Sequence, residues 1–155
     1  MTLRLVLAAV HLLALGIGLG AVWSRARALR GMPDAGDIRR AIVADSWWGA
    51  AFALWLVTGL WRLLGSVEKP VGYYMDNHFF FMKMGFLGLI LILEIWPIVT
   101  LMRWRRELAA GRTPDTSASG KIGTISMLET ALVIAMVGAA AAMARGLGTG
   151  SGTMD

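Results

Sequence analysis

Seven ionisable residues lie inside or beside long apolar runs, where such groups are costly and normally face a partner or a cavity. His11 interrupts LVLAAVHLLALGIGLGAVW, and Arg62 nearly closes SWWGAAFALWLVTGLWRLL. Lys83 and Glu94 interrupt FFFMKMGFLGLILILEIWPIVTLM, and Glu129 interrupts IGTISMLETALVIAMVGAAAAMA. Asp45 precedes the second run and His78 the third. A neutral imidazole nitrogen can ligate haem iron, so His11 is a candidate metal ligand; the alternative is a histidine bonded to a neighbouring helix. A second axial ligand would be His78, a methionine such as Met82 or Met84, or nothing. Lys83 and Arg62 are cations suited to a porphyrin propionate, although Lys83 could instead extend to the lipid headgroups. Asp45, Glu94 and Glu129 form an acidic set for which Arg25, Arg27 and Arg103 are plausible partners. Such pairing would fix helix register; a proton path or an ion site is the functional alternative.

These residues need elements that hold them at defined depth. A membrane helix needs about 20 mostly apolar residues, and four stretches qualify: about 5–23, 46–64, 79–102 and 122–144. They are apolar on all sides, which excludes amphipathic surface helices. The expected fold is an all-α integral membrane four-helix bundle over residues 1–145, followed by a flexible glycine-rich tail at 146–155. A signal peptide fits the first run poorly, because the run is long and Arg25, Arg27 and Arg30 follow it. Lysine and arginine set orientation. Arg25, Arg27, Arg30, Arg39 and Arg40 lie in the first connection, and Arg103, Arg105, Arg106, Arg112 and Lys121 in the third. Both connections are therefore placed in the cytoplasm, and both termini on the outer side. His11, about six residues or roughly 9 Å into the first helix, then shares the outer half with Lys83 and Arg62, and the three acids lie in the inner half. Trp23, Trp47, Trp48 and Trp104 are expected at the inner interface, and Trp61, Tyr73 and Tyr74 at the outer one. Glycine pairs such as Gly16 and Gly20 or Gly85 and Gly88, and the Ala14–Gly18 pair, offer close helix approach. Pro97 is expected to kink the third helix.

Composition agrees. Of 155 residues 57% are hydrophobic and 16% charged, against roughly 25% charged in a soluble domain. With no cysteine, disulfides and thiolate chemistry are excluded. The net charge of +5 fits an anionic inner leaflet, so nucleic acid is not an expected partner. Thioethers suit Cu(I), but the ten methionines of so apolar a chain read as packing. No H-E-x-x-H, G-x-S-x-G or P-loop is present.

Motifs from Asp45 to Arg106 resemble an uncharacterised family of bacterial four-helix predicted membrane proteins. They are T-G-L-W-R at Thr58–Arg62, E-K-P-V-G-Y-Y at Glu68–Tyr74, N-H-F-F-F-M-K-M at Asn77–Met84 and W-P-I-V-T-L-M-R-W at Trp96–Trp104. A more distant likeness joins a histidine early in the first helix to a lysine opening the third. That pattern resembles the HemJ type of protoporphyrinogen oxidase, a four-helix membrane protein, and the architecture is similar to that of CopD membrane proteins. The HemJ resemblance implies haem b as cofactor and catalytic roles for His11 and Lys83. It departs from the pattern at Glu94, where HemJ sequences carry a histidine, and at Gly16, Gly18 and Gly20, where they carry aromatic residues.

Three functions follow as expectations for a multi-pass protein of the bacterial inner membrane, with the lipid bilayer as its first partner. One is a haem- or porphyrin-binding redox protein using His11, Lys83, Arg62 and His78. Another is a non-catalytic scaffold or accessory subunit with a membrane partner. The third is a small transporter or proton-coupled channel acting as a homo-oligomer, with Glu94 and Glu129 as carriers.

Overall fold

The computed structural model describes residues 2–65 and 69–148. Four helices are long and apolar enough to cross a membrane: α1 (Thr2–Ala28), α2 (Ala35–Leu64), α4 (His78–Ala109) and α5 (Ser119–Ala144). A short helix, α3 (Val71–Met75), lies between α2 and α4. In hydrocarbon the backbone must satisfy its own hydrogen bonds, which makes helix the outcome for such segments. α1 packs along α2 and α5, and α4 along α5, whereas α2 meets α4 only sparsely.

The helices outrun the apolar runs, and this relocates several charges. α1 carries Arg25 and Arg27 in its last turn, so neither belongs to the connection. The chain then turns at Gly31, whose φ of 80° suits a residue without Cβ. α2 opens on a capping box: Asp34 accepts from the Asp37 N–H at 2.7 Å, and the Asp34 N–H donates to Asp37 at 3.1 Å. Arg39, Arg40 and Asp45 are therefore helical. The connection before α5 is ordered by local hydrogen bonds. Asp115 accepts from the Ser117 N–H and hydroxyl at 2.9 and 3.0 Å, and Ser119 and Gly120 already belong to α5. Pro97 sits inside an α4 that continues from His78 to Ala109.

Two apolar clusters fill the bundle. One, at the α1–α2 loop end, gathers Leu29, Ile38, Leu101, Trp104 and Ile122. The other, deeper, gathers Val22, Trp48, Trp55, Ile90, Val133 and Met136. Trp48 and Trp104 are thus core residues; Trp23, Trp47 and Trp61 are exposed as interface anchors would be, and so is Trp96. The small-residue expectation also divides. Ala14 is buried, and a Cβ on Gly18 would lie 3.2 Å from Trp48, so that pair packs as expected. Gly16, Gly20, Gly85 and Gly88 have nothing within 4 Å of a Cβ position and mediate no contact within the chain.

At the opposite end, residues 73–78 form a latch with the end of α5 and the residues after it. Asn77 is fully buried; it caps α4 by accepting from the Phe79 N–H at 3.0 Å and donates to Leu147 O at 3.0 Å. The Tyr73 hydroxyl donates to Met143 O at 3.0 Å, and the His78 N–H to Gly148 O at 2.9 Å. Residues 146–148, expected to begin the flexible tail, are held here; 149–155 lie outside the described residues.

Candidate functional site

The acidic set converges on one arginine. Arg25 is fully buried, and each of its five N–H bonds has an acceptor. Nε donates to Ser126 Oγ at 2.9 Å. Nη1 donates to Asp45 Oδ1 and Glu94 Oε1, both at 2.6 Å. Nη2 donates to Glu94 Oε2 at 2.7 Å and Glu129 Oε2 at 2.6 Å. The guanidinium fork thus grips Glu94 with two parallel bonds, a geometry that an ammonium lacks. Arg25 comes from α1, Asp45 from α2, Glu94 from α4, and Glu129 and Ser126 from α5, so one residue ties together all four long helices. On α5 the spacing of Ser126, Glu129, Thr130 and Val133 places them on one face, and all four are buried. Of the expected cations, Arg25 fills this role; Arg27 and Arg103 are exposed.

Apolar residues flank the layer on both sides, Leu29, Leu101 and Ile122 toward the loop end and Val22, Ile90 and Val133 toward the middle. Arg105 reaches from α4 to Ser46 Oγ at 2.6 Å and Ile42 O at 3.3 Å, beside Asp45. Glu129 is wholly buried, and its Oε1 has no hydrogen-bond partner among the described residues.

The second constellation surrounds His11, about 21 Å along α1 from Arg25 at 1.5 Å per residue. His11 is buried, its ring stacked on Trp55 with centroids 5.3 Å apart. Its Nδ1 lies 2.9 Å from Thr58 Oγ1. The Thr58 hydroxyl has the Leu54 and Trp55 carbonyls at 2.8 and 3.0 Å. With its single proton on a carbonyl, its oxygen accepts from Nδ1–H, and in that neutral tautomer the imidazole lone pair falls on Nε2. A Cβ on Gly59 would stand 3.1 Å from His11 Cε1, so glycine admits the ring against α2. Lys83, half-buried, places Nζ 5.7 Å from the centroid of the same Trp55 ring. Arg62, also half-buried, follows Thr58 by one turn on that face of α2. His11 and Lys83 therefore both lie against Trp55, with Arg62 one turn beyond Thr58 on the same face of α2. His78 is exposed at the start of α4.

Between the two constellations lies an apolar void of about 20 Å³, bounded by Ala14, Gly18, Trp48, Ala51, Trp55 and Val133 among others. Among the described residues no group of three or more His, Cys, Asp or Glu side chains is placed to hold a metal ion. Sequence reasoning missed Ser126, Trp55, Thr58 and Gly59. For the last two the signal was the T-G step of T-G-L-W-R, in which a hydroxyl and an absent side chain together accommodate His11.

Residues 3–148 match the family described as "Predicted membrane protein (DUF2214)". The chain belongs to that family. No curated protein and no solved structure matches it. Membership in this family therefore carries the membrane assignment, and the chemistry has to be argued from the two constellations.

Proposed function

We propose that this is a small multi-pass protein of the bacterial inner membrane that carries protons, alone or as a homo-oligomer, with Glu129 and Glu94 as the carriers. The observation that supports this reading most strongly is the charge count around Arg25. Three carboxylates face one buried guanidinium, and counting Arg105 at the rim still leaves two positive charges against three negative. An uncompensated charge in a dry site is far more costly than a bound proton. Glu94 Oε2 and Glu129 Oε2 both sit on Arg25 Nη2, and two carboxylates sharing a site resist simultaneous ionisation. A proton on Glu129, the most buried of the three, balances the layer and turns the unpartnered Oε1 into a donor. In the expected orientation this layer lies in the cytoplasmic half and His11 in the outer half. The test is proton flux in liposomes containing the purified protein. Flux above that of empty liposomes, lowered at least tenfold by Glu129→Gln, is expected; a rate equal to that of empty liposomes contradicts the reading.

A second reading, haem b or a porphyrin at His11, is favoured by one observation: the Thr58 contact directs the imidazole lone pair to Nε2, as axial ligation requires. Lys83 and Arg62 would hold the propionates, in line with the HemJ resemblance. The donor chemistry fits. The nearby apolar void of about 20 Å³, which His11 does not line, is far too small for a porphyrin, so a ring would have to enter between α2 and α4, where packing is sparse. This reading predicts a Soret band in protein purified from haem-replete cells and its loss in His11→Ala. A colourless protein contradicts it.

A further inference from the structure

The outer surface of the α1–α2 pair carries a groove of about 480 Å³ whose polarity changes along its length. Its floor is Ala21 and Ala44, two small buried residues that leave a channel between the helices. Ile17, Val43 and Trp47 wall it, and Trp47 is 59% exposed. At the end nearer the α1–α2 loop stand Ser24, Arg39 and Arg40. Ile17 lies about 10 Å deeper along α1 than Ser24, at 1.5 Å per residue. The groove thus runs from a basic, hydroxyl-bearing mouth to an apolar channel, in the order that a phospholipid presents headgroup and acyl chain.

We propose that this groove binds one anionic phospholipid. Its phosphate would sit between Arg39, Arg40 and Ser24, and one acyl chain would run past Ala21 and Ala44 toward Ile17. The charge is complementary. Arg40 pairs with Asp37, and Asp34 caps α2 one turn earlier. Both acids precede the arginines and stand on the loop side of them, away from the channel. Arg39 supplies positive charge at the mouth, and Arg40 can exchange Asp37 for a phosphate oxygen without leaving its position on α2. Trp47 provides an amphipathic ring at the glycerol level. This inference is independent of the proton reading.

The test uses the full-length protein in phosphatidylcholine vesicles containing a minor fraction of phosphatidylglycerol, with bromine on the acyl chains of one lipid at a time. The Trp47 contribution is the difference in fluorescence quenching between wild type and Trp47→Phe. Brominated phosphatidylglycerol is expected to quench this component at lower mole fraction than brominated phosphatidylcholine, by roughly fivefold for each arginine engaged. The Arg39→Gln/Arg40→Gln double variant should abolish the preference. Arg112→Gln/Lys121→Gln, which removes equal charge from the α4–α5 side, should preserve it. Equal quenching by the two lipids overturns the proposal. So does an equal loss in both double variants, which would indicate a diffuse basic surface, and so does displacement by inorganic phosphate, which would indicate an anion site without a lipid channel.

Discussion

Arg25 makes five hydrogen bonds from five donors, which makes it the least replaceable side chain in the protein. Arg25→Met should lower stability by about 3–5 kcal/mol, because it strands buried carboxylates. Arg25→Lys should recover only part of this, since a point charge cannot grip Glu94 with two parallel bonds. Thermal unfolding in detergent checks both, and an Arg25→Lys protein as stable as wild type would contradict the role assigned to the fork. At this scale the sequence reveals the acids, their shared depth and a short set of candidate cations. It does not single out Arg25. Arg25 and Arg27 are two residues apart at the end of one apolar run, and only helix rotation decides that one faces the acids and the other solvent. Ser126 and Thr58 are equally hidden, since a hydroxyl in an apolar run reads the same whether it serves a partner or its own backbone.

Between helices, the same ambiguity of facing decides which small residues matter. Gly18 lies against Trp48, with a Cβ position 3.2 Å from the ring, whereas Gly16 faces open space. Gly18→Leu should therefore overpack the α1–α2 interface and cost about 1–3 kcal/mol. Gly16→Leu, one third of the helix circumference or more away, should stay within about 0.5 kcal/mol of wild type. Comparable losses from the two would contradict the packing of α1 described above. The existence of four spans was legible because length and apolarity alone specify them. Their ends were not, because arginines and aspartates extend α1 and α2 beyond the apolar runs through the capping box and the ionic layer. The latch of Tyr73 and Asn77 on the end of α5 was also illegible, since it joins residues 70 positions apart. Yet it gives a structural reason for tyrosine and asparagine within Y-Y and N-H-F-F-F-M-K-M.

Along the whole molecule, polar and apolar residues alternate in layers. From the α1–α2 loop end come an apolar plug, the Arg25 layer, a second apolar layer with its void, the His11 constellation and the Asn77 latch. With the basic residues around the two connections on the cytoplasmic side, as the sequence leads one to expect, the plug would face the cytoplasm. A reporter that is active only outside the cytoplasm should therefore be active when fused after Asp155 and silent when inserted at Gly111, and the reverse pattern would invert the orientation. The low overall charge is what made this layering readable in outline, because so few ionisable residues remain within the spans that each marks a depth. The lateral arrangement, with α1 between α2 and α5, is not coded in depth and emerged only from packing.

The proton proposed on Glu129 in the Arg25 layer is open to direct measurement. Infrared difference spectroscopy of the protein at neutral pH reads this directly, because a protonated carboxyl absorbs at higher frequency than an ionised carboxylate. The account predicts a protonated-carboxyl band at neutral pH in wild type and its loss in Glu129→Gln. A spectrum with no such band, or a band that survives Glu129→Gln unchanged, would contradict it.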